Sequence, residues 1–123
     1  MSSKQTTEQI HKALIIARHN VVLIRQWAGE LDHKALSTDF MRCYAILYAF
    51  IVIAEAIKDV PKTLLERYAP PKLWRIVSSF RNYLAHTYED LPDDRVIATI
   101  HTDLPNLKSI LEKMIADLEA TKA

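Results

Sequence analysis

Glycine is nearly absent: Gly29 stands alone in 123 residues. One glycine cannot build a glycine-rich phosphate loop or a Gly-x-Ser-x-Gly nucleophile elbow. It also leaves few turns able to hold positive φ, so connections are few and long helices are favoured over many strands. Cysteine is as scarce. Cys43 alone excludes an internal disulfide and fits a reducing compartment. It lies inside an apolar segment, where a buried structural thiol is expected and a nucleophile is not. No apolar run reaches the roughly 20 residues that span a bilayer; the longest, Cys43 to Ala54, stops between Arg42 and Glu55. The N-terminus lacks the apolar core of a signal peptide. Excess charge of one sign is lacking too. The formal net charge is +1, so attraction to nucleic acid has to come from a local patch. The expectation is one soluble, cytoplasmic domain over residues 1–123, with no membrane association.

What is present is helical periodicity. Ile10, Ala13, Leu14, Ala17, Val21, Ile24 and Ala28 recur at spacings of three and four, the signature of one apolar helix face. Ser2, Ser3, Thr6 and Thr7 offer N-caps, and Gly29 suits the end. Leu31 to Leu36 reads as a loop. Ser37, Thr38 or Asp39 caps a second helix running to about Lys58. Its apolar residues cover nearly the whole circumference, more than one small chain can surround, so a second subunit is expected against it. Pro61 opens a short helix to Tyr68, and Ala69-Pro70-Pro71 breaks it. Pro71 starts a fourth helix ending near His86, with Leu73, Trp74, Ile76, Val77, Phe80 and Leu84 inward. Tyr88 to Asp94 reads as an acidic loop. A last helical region runs from about Asp93 to Glu119, with a kink or break at Pro105, which has no N–H for the carbonyl of His101. The fold class is all-α: an up-and-down helical bundle, expected to dimerise.

No set of ligands has metal-site spacing. His11 and His19 are too far apart for one turn, and Glu89, Asp90, Asp93 and Asp94 lack the pattern of a calcium loop. No metal and no cofactor are expected. The polar groups that remain concentrate in one stretch, Ser78 to Tyr88, which holds Arg81, Asn82, His86 and Tyr88. On an ideal helix, Tyr88 falls about 20° from Arg81, while Arg81 and His86 stand roughly 140° apart. The two converge only if the helix end unwinds around Ala85 to Thr87, or if a second copy of the stretch comes alongside across a two-fold axis.

Arginine is a fixed cation with a fork suited to phosphate. Histidine titrates near neutrality and can move a proton. Together they suit metal-free cleavage of a phosphodiester by the neighbouring ribose 2′-hydroxyl, so RNA is the expected substrate.

Arg81-Asn82-Tyr83-Leu84-Ala85-His86-Thr87-Tyr88 has the form Arg-x4-His-x-Tyr. This resembles the HEPN superfamily and, within it, the HepT toxins of HepT/MntA toxin–antitoxin pairs. Arg95 and His101 also fit the bare arginine–histidine pattern, so the context discriminates. Ile53-Ala54-Glu55-Ala56 resembles the Glu-Ala element of the family's second helix. Trp74-Arg75-Ile76 precedes the site at the family's distance, and Asp94-Arg95-Val96-Ile97 and Leu104-Pro105-Asn106-Leu107 resemble its tail. The likeness covers roughly Thr38 to Leu111. Some relatives carry an aromatic residue where Ile97 stands, a change of packing.

The resemblance implies a type VII toxin: a metal-independent endoribonuclease acting as a homodimer. It implies Arg81 and His86 as the catalytic pair and Asn82 as their polar neighbour. Tyr88 matches the residue on which an MntA-like nucleotidyltransferase antitoxin places AMP, silencing the toxin. Two other readings stand beside it. One is a catalytically idle HEPN partner that binds a nucleotidyltransferase or a nucleotide. The other is a purely structural dimeric bundle, in which Arg81 and His86 point to solvent, far from their symmetry mates. For Arg81 by itself, the plain structural role is an ion pair with Glu55 or a surface acid.

Overall fold

A computed structural model describes residues 5–29, 38–83 and 94–122. Among them there is helix and no strand. His86 and Tyr88 lie outside the described residues, as do the expected Leu31–Leu36 loop and nearly all of the acidic segment before Asp94.

The first helix, α1, spans Thr7–Ala28. Thr6 and Gln9 form a reciprocal cap: the Gln9 N–H donates to Thr6 Oγ1 at 3.1 Å, and the Thr6 N–H donates to Gln9 Oε1 at 2.9 Å. Gly29 ends it at φ 54, its N–H donating to the Arg25 carbonyl, a conformation that costs glycine little. The apolar face read from the sequence is the buried face, from Ala13 to Ala28; Ile10 is half-buried at its start.

Helix α2, Phe40–Lys58, is capped by Asp39, whose carboxylate accepts the Arg42 N–H at 3.1 Å. One side is buried against α1, with Ile46, Phe50 and Ile53 at its centre. By length and composition alone α2 could also cross a membrane, but half of it is buried inside the bundle. The opposite side is not surrounded: Phe40, Met41, Tyr44 and Tyr48 are 58, 86, 52 and 67% exposed.

Pro61 opens α3, Lys62–Leu65, shorter than the expected run to Tyr68; the chain continues to Tyr68 as turns. Pro71 sits in the first turn of α4, Pro71–Ser79. The Trp74 indole N–H donates to the carbonyls of Leu65 at 2.8 Å and Ala69 at 3.2 Å, which fastens the proline break to the helix after it. The expected α-helix through to His86 does not persist. It tightens into a 3₁₀ turn at Phe80–Asn82, closed by the Tyr83 N–H on the Phe80 carbonyl at 3.2 Å.

The last region opens as α5, Asp94–Ala98, and closes as α6, Leu104–Lys122. Between them Thr99–Asp103 forms a π turn, in which the Leu104 N–H reaches back to the Thr99 carbonyl. The break expected at Pro105 is therefore a widening: the ladder skips the missing N–H by taking in an extra residue, and the helix continues. Helix α1 packs on both α2 and α6, and α2 also carries α4 and the 3₁₀ turn. At the surface, Arg18 Nε donates to Glu112 at 3.2 Å, His11 bonds Glu119 at 2.8 Å, and the Tyr68 hydroxyl donates to Asp117 at 2.9 Å.

Candidate active site

The 3₁₀ turn places two polar side chains between two aromatic anchors. Phe80 is fully buried and meets Phe50 edge-on, with ring centroids 4.8 Å apart. Tyr83, half-buried, packs on Phe50 at 5.1 Å and on Phe80 at 5.5 Å. The two edge-to-face pairs, both on Phe50, contribute about 0.5–1.5 kcal/mol each beyond their buried area. With residues 80 and 83 held inward, Arg81 and Asn82 face solvent. The turn thus presents a guanidinium and an amide side by side on a rigid base.

Arg81 has one acidic neighbour among the described residues. Its Nε lies 3.8 Å from Glu55 Oε1, and Lys58 Nζ lies 3.2 Å from Glu55 Oε2. The pairing weighed from the sequence as the structural reading of Arg81 is therefore present. At 3.8 Å, with both side chains half exposed, it orients the guanidinium and contributes little stability.

Tyr83 and Thr99 are two residues that the sequence did not single out. Thr99, buried on the π turn, donates its hydroxyl proton to the Arg95 carbonyl at 2.8 Å. Tyr83 therefore donates to Thr99 Oγ1, also at 2.8 Å. This pair ties the chain just after Arg81 and Asn82 to the last helical region. Beside it, Ser79, Asn82, Arg95 and Asp103 line a groove of about 360 Å³. Arg95 faces this groove, while His101 lines another with Arg25 and Lys108, so the second arginine–histidine pair does not converge on one cavity.

Of the expected site residues, Arg81 and Asn82 are adjacent, exposed and held. His86 and Tyr88 lie outside the described residues, so their distances to Arg81 are not part of this geometry. Among the described residues, no three of the histidine, cysteine, aspartate and glutamate side chains gather as a metal cage requires. Cys43 is buried, and burial followed by the nearby Asp39 charge pushes its thiol up, away from the reactive thiolate.

The model of a family described as "Ribonuclease HepT-like" matches residues 17–114, which extends the likeness seen in the sequence back into α1. A protein of Methanocaldococcus jannaschii named "Putative RNase MJ0125" is 30% identical over 96 residues, covering 78% of this chain and 82% of its own. A Thermococcus cleftensis protein named "Probable ribonuclease HepT" is 30% identical over 95 residues, covering 76% and 84%. No solved structure matches the chain.

Proposed function

Since the chain belongs to the HepT-like ribonuclease family, we propose that it is an RNA-cleaving toxin. In this reading Arg81 and His86 carry out a metal-independent cleavage that Tyr88 can switch off. The observation that carries the reading is the presentation of Arg81. It is exposed on a turn whose flanking residues are locked into the core, and the one carboxylate near it among the described residues is a loose 3.8 Å neighbour. A cation meant only for stability has no need of such a mount.

The chemistry follows from the residue types. The ribose 2′-oxygen attacks phosphorus, His86 takes its proton, and the bond from phosphorus to the 5′-oxygen breaks. A proton returns to that leaving oxygen. Arg81 stabilises the charge that builds on the phosphoryl oxygens, and Asn82 supplies a neutral donor beside it. One stretch per chain brings one histidine. Two stretches across a two-fold axis bring one to each side of the scissile bond, which favours a homodimer. The exposed apolar stripe of α2, Phe40, Met41, Tyr44 and Tyr48, supports that assembly.

In this reading a cognate MntA-like nucleotidyltransferase antitoxin adds AMP to Tyr88. The added bulk and phosphate charge occlude and neutralise a site built for phosphate. The setting is cytoplasmic. The deciding experiment is the identity of the RNA ends: fragments bearing 2′,3′-cyclic phosphate and 5′-hydroxyl, formed equally with EDTA, are expected. Fragments with 5′-phosphate, or loss of cleavage on chelation, overturn the mechanism.

A further inference from the structure

We infer that the cationic groove on the Ser78 side of Arg81 carries the RNA strand past the cleavage site, holding backbone phosphates next to the scissile one. The inference rests on the ribonuclease reading and adds where the substrate lies. The groove, about 350 Å³, is bounded by the end of α2, by α3 and by α4. Lys58, Lys62 and Arg75 line it with the Ser78 hydroxyl, against a single acid, Glu66.

Glu55 connects this groove to the reaction centre. Its carboxylate holds Lys58, on the groove wall, at 3.2 Å and Arg81 at 3.8 Å. The wall and the candidate catalytic cation are thus one side chain apart. A strand whose phosphate displaces Glu55 from Arg81 has its neighbouring phosphates directed at Lys58 and the cations beyond.

Lys62 and Arg75 are exposed and make no ion pair among the described residues. Arg75 is one turn of helix before Ser78, on α4, which runs directly into the 3₁₀ turn that carries Arg81. Lysines and arginines placed this way gain affinity by releasing the counterions condensed on nucleic acid. The aromatic wall does not read bases. Trp74 is 7% exposed and its indole N–H is taken by two backbone carbonyls, so it offers no free face for stacking. The groove therefore suits a single-stranded backbone irrespective of base sequence, and it positions the strand without choosing the cut.

The test is binding of a short 2′-O-methyl single-stranded RNA, which cannot supply the attacking hydroxyl, by the full chain at salt concentrations from about 50 to 200 mM. Removing two phosphate contacts, each contributing about 0.7 to the slope of log affinity against log salt, should flatten that slope by about 1.4 in the double variant Lys62→Gln, Arg75→Gln. Its KM for cleavable RNA should rise with kcat nearly unchanged, since Arg81 and His86 are intact. Lys62→Arg with Arg75→Lys, which keeps both charges, should restore the native slope and also exposes any folding defect. An unchanged slope and KM in a chain that still cleaves RNA overturns the groove and leaves the ribonuclease reading standing. A native chain that neither binds nor cleaves RNA overturns both.

Discussion

The hydroxyl of Tyr83 lies 2.8 Å from that of Thr99, and Thr99 passes its own proton to the Arg95 carbonyl. Two residues before Tyr83 stands Arg81; three after it stands His86. The bond thus fixes the chain between the two members of the candidate catalytic pair. Tyr83→Phe keeps the ring packing on Phe50 and Phe80 and removes only the donor. A net loss of about 0.5–1.5 kcal/mol is expected. Thermal melts should show a midpoint a few degrees lower, and RNA cleavage should fall several-fold. Native stability together with native cleavage would show that this bond positions nothing.

Arg81→Ala should abolish RNA cleavage while leaving the melt within about 0.5 kcal/mol of the native chain, because an exposed ion pair contributes little. Circular dichroism and a cleavage assay on the same preparation separate the two effects. A variant that cleaves normally removes the arginine from the mechanism.

Silencing by modification discriminates among the tyrosines. Tyr83 is half-buried and its hydroxyl donates to Thr99; the Tyr68 hydroxyl donates to Asp117. Both are poor acceptors for a nucleotidyl group. With ATP and a cognate nucleotidyltransferase, mass spectrometry should find AMP on the native chain and on Tyr83→Phe, and none on Tyr88→Phe. An adduct on exposed Tyr44 or Tyr48 would redirect the switch to the α2 face.

Much of the fold was legible in the sequence because it is encoded locally. The α1 stripe, a cap among Ser37, Thr38 and Asp39, and the Pro71 start each depend on residues within a few positions of one another; which of the three caps is used, Asp39, came from the structure. The 3₁₀ turn was not legible. No glycine or proline marks Phe80–Asn82, and its cause is long-range: Phe50, on another helix, draws both Phe80 and Tyr83 inward. Pro105 announced a disturbance but not its form, since a kink and a π turn both relieve a missing N–H. Arg81 and Asn82 were found through chemistry and family likeness. Tyr83 and Thr99 escaped because a tyrosine–threonine bond across 16 residues has no periodic signature.

The exposed face of α2 predicts assembly. Tyr48→Glu puts a carboxylate into the apolar stripe, where closing an interface over it is costly unless it is paired. On the proposed homodimer, sedimentation should find the native chain dimeric and the variant monomeric, and cleavage should fall with the dimer. A monomeric variant that retains full activity would place the whole site within one chain.

Acid should loosen the surface of the bundle. A hydrogen bond from Arg18 holds the Glu112 carboxyl below its usual range, and hydrogen bonds from Lys113 and then Tyr68 do the same for Asp117. Groups whose folded pKa is depressed stabilise the protein above the ordinary carboxylate pKa of about 4, and that stability is lost as the pH falls through their folded values. The Tyr68 pKa is raised, chiefly by its bond to Asp117, so its contribution is present below about pH 10 and fades above it. Urea midpoints should be level through neutrality and fall at both ends. In Asp117→Asn the acid decline should be shallower.

The π turn at Thr99–Asp103 holds one residue more than an α-helix needs. A substitution there alters a bond, but a deletion alters an orientation. Excising one of its residues would swing Asp94–Ala98 by about 100° around the axis of α6. Arg95 would leave the groove it shares with Asn82, and whichever residue then stood at the Thr99 position would meet Tyr83 from another side. The surplus residue sets the phase between one wall of the cleft and the C-terminal helix, so the length of this turn is under tighter constraint than its composition.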